Sequence, residues 1–234
     1  MASTLLVFGA RHLGRTIAKR FAADGWSVAA VARSEETIAR LRSELPDALA
    51  IRADASSAAE VERVFVEAQE RFGSVDLVVN AISAGVPGGP LAEIGPEALA
   101  PYLEQLLPGV FNVLREGARV LGRRGSGTIV QITGGSARRA MPGRGPWAAA
   151  AFATRALTQA AALELREQGV HAALLVVDAT IASEKTAAWI EGKPDEATTT
   201  EEDVAAAVAF LASQTPRAWT HELQITPRLD RWVP

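Results

Sequence analysis

Several kinds of residue are scarce in this 234-residue chain. It has no cysteine, one tyrosine (Tyr102) and three histidines, which lie far apart at positions 12, 171 and 221. The lack of cysteine excludes disulfides, thiolate nucleophiles and cysteine-ligated metals, and scattered histidines give no local support for a metal site. The sequence therefore predicts neither a metal centre nor cysteine chemistry.

Charge of one sign and long hydrophobic runs are missing as well. The formal net charge is −3, and no basic cluster of the kind that binds nucleic acid is present. The apolar run from Leu5 to Phe8 meets Gly9 and is too short for a signal-peptide core or a membrane span. We expect a soluble, cytoplasmic protein that binds neither nucleic acid nor membrane.

Short apolar runs of strand length alternate with longer segments of helical periodicity, which is the order of a parallel sheet with crossover helices. Predicted strands cover residues 4–8, 26–32, 48–52, 75–80, 127–133, 171–177 and 222–226, and predicted helices cover residues 12–23, 35–45, 57–72, 96–121, 147–168 and 201–213. No repeat or low-complexity linker interrupts them. The sequence predicts an α/β fold: one doubly wound, Rossmann-type domain over residues 1–234, with about seven parallel strands and helices on both faces.

A glycine turn, GARHLG at residues 9–14, joins the first strand to the first helix. Backbone N–H groups at such a helix start can hold a pyrophosphate, because they lie at the positive end of the helix dipole and Gly9 has no Cβ. The turn predicts a dinucleotide site formed by Gly9, Arg11, His12, Leu13 and Gly14. The alternative is a tight β–α turn that holds no ligand.

Arg33 closes the second predicted strand. NAD-selective sites usually place a carboxylate there to bind the adenosine ribose, whereas a guanidinium group suits a 2′-phosphate. Arg33, together with Arg11, therefore predicts NADP(H) rather than NAD(H). The alternative is a solvated arginine at a loop tip.

Two further strand ends carry polar side chains, in Asp54-Ala55 and Asn80-Ala81. The Asp54 carboxylate can accept a hydrogen bond from the adenine amino group, or it can cap the helix that begins near Ser57. Asn80 can bond to neighbouring backbone and hold the sheet open beside a cofactor, or it can be an ordinary turn residue. Both segments join the predicted dinucleotide site.

Taken together, these segments resemble the short-chain dehydrogenase/reductase family over nearly the whole chain. The most specific stretch is TIVQI at 128–132, followed by LTQAAALEL at 157–165, which is similar to the family's helix ending "LT…LALEL". Residues 176–181 and 216–225 resemble an atypical branch in which the family tyrosine is often replaced. The family's Gly-x-x-x-Gly-x-Gly motif is only partly kept: Gly9 and Gly14 remain, one residue too close together, and His12 takes roughly the middle glycine position.

Counting back from the "LALEL" ending assigns the family's catalytic positions. The tyrosine falls on Trp147, the lysine on Ala151, the serine on Gly134 and the asparagine near Leu106, and no Tyr-x-x-x-Lys exists anywhere in the chain. None of these groups titrates. Since a positioned proton donor is worth roughly 10²–10⁴-fold in rate and an indole N–H cannot give up its proton, the resemblance implies an atypical member without the Ser-Tyr-Lys residues and without a catalytic residue.

The helix at 147–168 is apolar nearly all round, so we expect it to be buried on every side. In this family that helix and the one before it pack across a twofold axis, so the resemblance implies a homodimer or homotetramer. We expect the arginines of the loop at 138–146 to be solvated rather than to form an anion site.

Three functions follow from these residues. The leading one is an NAD(P)(H)-binding protein with a degenerate active site, which acts as a sensor or partner subunit and binds an unknown small molecule. The alternatives are an active NADP(H)-dependent oxidoreductase that draws its proton from water or substrate, and a structural oligomer without a cofactor. The loops at 85–90 and 181–200 carry no motif that identifies a substrate.

Overall fold

The computed structural model describes residues 2–84, 88–183 and 186–230. Seven strands form one sheet in the order β3-β2-β1-β4-β5-β6-β7, and every neighbouring pair is parallel. The strands are β1 (Thr4–Phe8), β2 (Ser27–Ala32), β3 (Leu49–Arg52), β4 (Leu77–Asn80), β5 (Gly127–Gly134), β6 (Val170–Val177) and β7 (Glu222–Ile225). The predicted fold class is confirmed.

Helices cover both faces of this sheet. They are α1 (Leu13–Ala23), α2 (Glu35–Glu44), α3 (Ala58–Phe72), α4 (Leu107–Arg124), α5 (Gly145–Leu165), α6 (Ala187–Ile190) and α7 (Glu201–Ala212). Because side chains alternate along a strand, Leu6 and Phe8 of β1 enter the core formed with α3, α4 and α5, whereas Leu5 and Val7 enter the core formed with α1, α2 and α7. The apolar strand runs are thus buried on both faces.

The predicted helix over residues 96–121 is wrong in its first half. A short 3₁₀ turn at Pro96–Ala98 and a π-helical turn at Tyr102–Leu106 precede α4. Pro108 lies within the first two positions of α4, and its ring nitrogen cannot close the α-helical bond to residue 104. The chain instead bonds the Leu107 N–H to the Tyr102 carbonyl, and α4 starts afresh at a position that proline tolerates.

Helix α5 begins at Gly145 rather than at Trp147, with Pro146 in its first turn, where a proline needs no N–H partner. The expectation that α5 is buried on every side is wrong for the single chain. Phe152 is 43% exposed and Leu163 is 67% exposed, so α5 leaves an apolar strip uncovered.

The strand order reverses between β1 and β4, since β2 and β3 lie on one side of β1 and β5 to β7 on the other. In open α/β sheets, ligands bind at such a switch point, outside the carboxyl ends of the strands. The fold therefore brings the ends of β1, β2, β4 and β5 to one crevice. None of the helices in the described part of the chain is long and apolar enough to span a bilayer.

Candidate dinucleotide and substrate site

The turn between β1 and α1 requires a glycine at its first position. Gly9 has φ +82°, and a Cβ built there would lie 2.7 Å from the carbonyl carbon and oxygen of Ala81. The backbones of the two turns therefore touch at the switch point, and Ala81 in turn donates its N–H to the Phe8 carbonyl at 2.9 Å. We call the backbone surface at this contact between Gly9 and Ala81 the Gly9 cradle.

Helix α1 opens onto this cradle without a side-chain cap. His12 is the N-cap residue, its side chain makes no capping hydrogen bond, and no acidic residue lies in the first turn. Helix starts usually satisfy these donors with a side chain or a ligand. The uncapped start at Leu13 is thus suited to an anion such as a pyrophosphate.

The unusual glycine spacing has a packing cause. A Cβ on Gly14 would lie 2.6 Å from the Gly9 carbonyl oxygen, so Gly14 lets the first turn of α1 close onto the loop. His12 is half-buried outside the helix, and Arg11 is exposed, with its backbone N–H donating to the Gly9 carbonyl at 2.9 Å. The loop at residues 9–14 therefore differs from the family motif in the spacing of its glycines.

A polar recess of about 390 Å³ lies between the ends of β2 and β3 and is lined by Arg33, Arg52, Ala53, Asp54 and Glu60. We call it the β2–β3 recess. The Arg52 Nε donates to the Arg33 carbonyl at 3.2 Å. Among the described residues, neither guanidinium forms an ion pair with a carboxylate, so two cations stand side by side at the recess.

Sequence reasoning missed Arg52 and Glu60. Arg52 is the last residue of β3, which places it beside the end of β2 in a parallel sheet. Glu60 reaches back from α3 and accepts the Asp54 N–H at 2.9 Å. The signal for Arg52 was its position at a strand end, but the signal for Glu60 exists only in three dimensions.

Asp54 shapes the turn that follows β3. Its Oδ1 accepts the N–H and the hydroxyl of Ser56, each at 2.9 Å. The helix cap of α3 is Ser57, which accepts the Glu60 N–H, so the alternative role of Asp54 as that cap is wrong. Asp54 instead holds its carboxylate at the wall of the recess.

Asn112 of α4 supports the turn that follows β3. This buried amide donates to the carbonyls of Ala55 and Ser56, each at 3.0 Å. Sequence reasoning missed it, although a lone amide within an apolar helix was a usable signal. Asn112 fixes the backbone of Ala55, which is itself buried.

Asn80 ends β4 and is fully buried. Its Nδ2 donates to Gln131 Oε1 of β5 at 2.9 Å, and its Oδ1 accepts the Ile82 N–H at 3.3 Å. The side chain thus bonds to neighbouring backbone, and it also ties β4 to β5. These two bonds hold the ends of β4 and β5 together at the switch point, next to Gly9.

The structure brings together Gly134 and Trp147, the two positions on which the sequence analysis places the family's serine and tyrosine. A Cβ built on Gly134 would lie 3.5 Å from Cζ2 and 3.8 Å from Nε1 of Trp147. Gly134 has extended backbone, with φ −96° and ψ 173°, so a side chain there would be unstrained. Ala151 lies one helical turn beyond Trp147 and is buried, as is Leu106.

Tyr102, the one tyrosine of the chain, packs against Trp147. The ring of Tyr102 is 5.9 Å from the ring of Trp147, and only 3% of the residue is exposed. Burial raises the pKa of the Tyr102 phenol, and the charge of Arg144 only partly opposes that rise. The phenol therefore remains protonated and packed in the core.

The expectation that the loop arginines are solvated is wrong for two of them. Arg139 binds both oxygens of the buried Asp178, at 2.6 and 3.1 Å, and Arg138 binds Glu222 at 2.9 Å. Sequence reasoning gave no sign of either pair, because the partners lie at the ends of β6 and in β7. These bonds anchor the β5–α5 loop beside Gly134.

Comparison with known proteins agrees with this architecture. The family model described as enoyl-(acyl carrier protein) reductase matches residues 9–223. The chain is 28% identical over 228 residues to the 3-oxoacyl-[acyl-carrier-protein] reductase FabG of Staphylococcus aureus, which covers 91% of this chain and 92% of the relative.

Solved structures show the same fold. ElxO with bound NADP superposes with a TM-score of 0.87 at 20% identity, over 96% of this chain and 97% of the other. An alcohol dehydrogenase from the archaeon Thermococcus sibiricus, complexed with 5-hydroxy-NADP, superposes over all of both chains with a TM-score of 0.85 at 26% identity. With the family match, the sheet order and the glycine turn in agreement, the chain belongs to the short-chain dehydrogenase/reductase family.

Proposed function

We propose that this protein binds NADP(H) at the switch-point crevice and does not reduce ordinary ketones, so that it acts as a sensor or a binding subunit. The observation that carries the proposal is the contact between Trp147 and Gly134. The two positions face each other, yet neither offers a group that can release a proton. The Gly9 cradle, in contrast, keeps the close backbone contact that a dinucleotide site needs.

The residues at the crevice suit a dinucleotide. The uncapped first turn of α1 would hold the pyrophosphate, and Asp54 would face the adenine. Arg33, with Arg11 and Arg52, would hold a 2′-phosphate. Two solved structures of the same fold carry NADP or a derivative of it, which supports dinucleotide binding, and the arginines are what favour NADP(H) over NAD(H). When bound, such a group supplies a hydride.

We infer that, in the described part of the chain, the positions assigned to the family's catalytic residues offer no proton donor for a ketone reduction. Reduction of a ketone leaves an alkoxide that must be protonated, and the donor is typically worth roughly 10²–10⁴-fold. At the two facing positions there are an indole and a glycine, Ala151 is buried beside them, and Tyr102 is held in the core. This arrangement supports the proposal that the site does not protonate a ketone substrate.

The test is a paired assay with acetoacetyl N-acetylcysteamine thioester as the ketone. The protein is first shown to bind NADPH, and NADPH consumption is then followed with and without the ketone. We expect binding without consumption above the buffer rate. Rapid turnover would overturn the proposal in favour of an oxidoreductase with its own proton source, and failure to bind any dinucleotide would favour a cofactor-free structural oligomer.

The exposed apolar faces of α4 and α5 support self-association. A groove of about 610 Å³ runs between them, lined mainly by apolar side chains that include Leu103, Phe111, Ala153 and Leu157. Phe111 is 50% exposed, and apolar patches of this kind mark interfaces. We infer a homodimer, or a homotetramer that contains it, across this face. The cytoplasmic location stays a prediction.

Substitution of Phe111 tests the interface. A buried charge at a twofold contact meets its own copy, so Phe111→Glu should convert the assembly to monomers. Sedimentation equilibrium would measure the mass, with Val66→Glu on α3 as the control, because Val66 is also exposed (42%) but lies outside the groove. An unchanged mass for Phe111→Glu would contradict the interface.

A further inference from the structure

The turn that follows β3 contributes side chains to two separate surfaces of the molecule. Asp54 lines the β2–β3 recess, whereas Ser56 and Ala58 line the groove between α4 and α5. Only one residue separates Asp54 from Ser56 in the chain. A ligand that contacts Asp54 in the recess and a chain that covers Ser56 in the groove would therefore act on the same short segment.

Hydrogen bonds join the two ends of this segment. The Oδ1 atom of Asp54 accepts both the N–H and the hydroxyl of Ser56, each at 2.9 Å, and both residues are half-buried. The position of the Asp54 carboxylate therefore depends on the position of Ser56. A contact that holds Ser56 also holds the carboxylate that is proposed to face the adenine.

Helix α4 packs directly on this turn. Asn112, which also lines the groove, donates to the carbonyls of Ala55 and Ser56, each at 3.0 Å. A Cβ built on Gly109 would lie 3.4 Å from the Ala55 Cβ, so no space separates the helix from the turn. Phe111 on the same helix is 50% exposed and lines the groove. The helix that would contact a second copy is thus the helix that holds the turn.

We propose that self-association across the groove between α4 and α5 is coupled to occupation of the β2–β3 recess through the turn at residues 54–58, so that NADP(H) binding and dimer formation strengthen each other. The coupling rests on the proposed function, since it requires both the NADP(H) site and the interface. It gives the sensor role a physical output, because occupation of the site changes the fraction of chains that are dimeric.

The sign of the coupling follows from burial. A second copy seated in the groove covers Ser56 and excludes water from its bonds to Asp54, and a hydrogen bond is electrostatically stronger where the local dielectric is low. The turn is then already ordered when a dinucleotide binds, so less conformational entropy is lost at that step. Because coupling is reciprocal, each bound dinucleotide strengthens the dimer by the factor by which the dimer strengthens its binding.

The test compares a monomer with a dimer of the same net charge. Phe111→Glu and Val66→Glu each add one negative charge, and neither side chain lines the β2–β3 recess. We expect monomeric Phe111→Glu to bind NADPH at least about fivefold more weakly than dimeric Val66→Glu, since allosteric coupling typically amounts to about 5–150-fold. Isothermal titration calorimetry measures both affinities. Adenosine 2′,5′-bisphosphate, which carries the groups that the recess would hold, should show the same ratio.

The unaltered chain gives the reciprocal readout. Saturating NADPH should lower the dissociation constant of the dimer, measured by sedimentation equilibrium, by about the square of that factor, because a dimer holds two dinucleotides. Ser56→Ala removes the hydroxyl bond to Asp54 and should reduce this shift. Ser213→Ala is the matched control: its hydroxyl bonds to the Phe210 carbonyl at the end of α7, outside both the recess and the groove, so the shift should be unchanged.

The outcomes separate this coupling from the proposed function. If neither variant binds NADPH, the proposed function fails and the coupling falls with it. If Phe111→Glu and Val66→Glu bind NADPH equally well, or if adenosine 2′,5′-bisphosphate shows no difference between them, only the coupling is overturned. A dimeric Phe111→Glu would overturn the interface and the coupling but leave the NADP(H) site in place. Equal shifts in Ser56→Ala and Ser213→Ala would show that the turn does not carry the coupling.

Discussion

Two regions of this molecule differ in the kind of group that they present at the switch-point crevice. The region from β1 to β4 keeps the cradle of Gly9, the uncapped start of α1 and the polar recess beside Arg33. The region of β5 and α5 places Gly134 against Trp147, at the two positions that the sequence analysis assigns to the reaction site. Binding in the first region depends on backbone geometry, whereas proton transfer in the second depends on side chains.

On the proposed function, this difference would let the reaction region change without altering the dinucleotide region. A positive φ and a close backbone contact tie Gly9 to the fold itself, so its replacement harms folding as well as binding. Trp147 makes an aromatic core contact with Tyr102. The reaction region can therefore change its chemistry at little cost in stability.

The largest effect should come from restoring the family residues. We expect Trp147→Tyr with Ala151→Lys and Gly134→Ser to raise ketone reduction by roughly 10²–10⁴-fold, because these residues supply a proton donor, a cation that lowers its pKa and a hydroxyl that holds the substrate oxygen. The measurement is NADPH consumption with acetoacetyl N-acetylcysteamine thioester.

The matched control for that variant is Trp147→Phe with Ala151→Met and Gly134→Ala, which adds similar bulk without a titrating group. It should stay inert. If the restored variant binds NADPH and is as inert as the control, the substrate side of the crevice has diverged beyond these three side chains.

A second experiment disrupts the proposed dinucleotide-binding region instead. Gly9 and Gly25 have nearly the same φ, +82° and +83°, but a Cβ at Gly25 meets nothing within 4 Å. Gly25→Ala should therefore cost only the left-handed strain of about 1–2 kcal/mol. Gly9→Ala adds the contact with Ala81, so we expect about 1–3 kcal/mol more and a loss of NADPH binding.

Urea unfolding of both variants gives the two free energies, and an NADPH titration gives the affinity. Equal stability of the two variants would mean that the Gly9 and Ala81 turns do not meet as described. Tight NADPH binding by Gly9→Ala would show that the cradle is not the pyrophosphate site.

The β2–β3 recess should determine whether NADPH or NADH binds more tightly. Arg33→Gln removes a cation that would bind the 2′-phosphate, and a charged hydrogen bond is worth about 1.5–3 kcal/mol, or roughly 10–100-fold in affinity. We expect NADPH binding to weaken by that factor and NADH binding to stay the same. Arg71→Gln at the far end of α3 is the control, and an equal loss for both dinucleotides would exclude phosphate selection by Arg33.

The smallest effect lies outside both regions, at the amino end of β6. His171 is 1% exposed, stacks on Trp219 with ring centroids 5.2 Å apart, and bonds through Nε2 to the Thr220 carbonyl at 2.9 Å. Burial lowers the pKa of His171, and the nearby His221 also lowers it. The native state therefore takes up this proton at a lower pH than the unfolded chain does.

The sign follows from proton linkage. Above the unfolded pKa of about 6.5 neither state is protonated at this residue, and the stability contribution is fully present. As pH falls below 6.5, the unfolded state gains the proton first, so stability declines by at most about 1.4 kcal/mol per pH unit. Urea unfolding between pH 7.5 and 5 should show this decline in the wild type and a flatter profile in His171→Gln, and equal slopes would contradict the assignment.

Much of the fold could be predicted from the sequence because hydrophobic periodicity marks buried faces directly. The seven strands and most helices lie within a few residues of their predicted bounds. The break before α4 was missed, although Pro101 and Pro108 are local signals against a continuous helix. The exposed strip of α5 was also missed, since composition alone does not say whether a neighbouring helix belongs to the same chain.

The sequence pointed to candidate site residues where they lie at strand ends. Gly9, Arg33, Asp54 and Asn80 all follow strands, and a parallel sheet brings such residues to one edge. Arg52 was overlooked at a strand end of the same kind. Glu60 and the Arg139–Asp178 pair needed the structure, because each joins residues of different elements whose approach no local pattern encodes.

The most direct test of the account is a fluorescence titration of the purified protein with NADPH and, separately, with NADH. We expect saturable binding of NADPH that is at least tenfold tighter than that of NADH, because the arginines at the β2–β3 recess would hold the 2′-phosphate. The absence of binding by either dinucleotide would contradict the claim that the region from β1 to β4 has kept a working site.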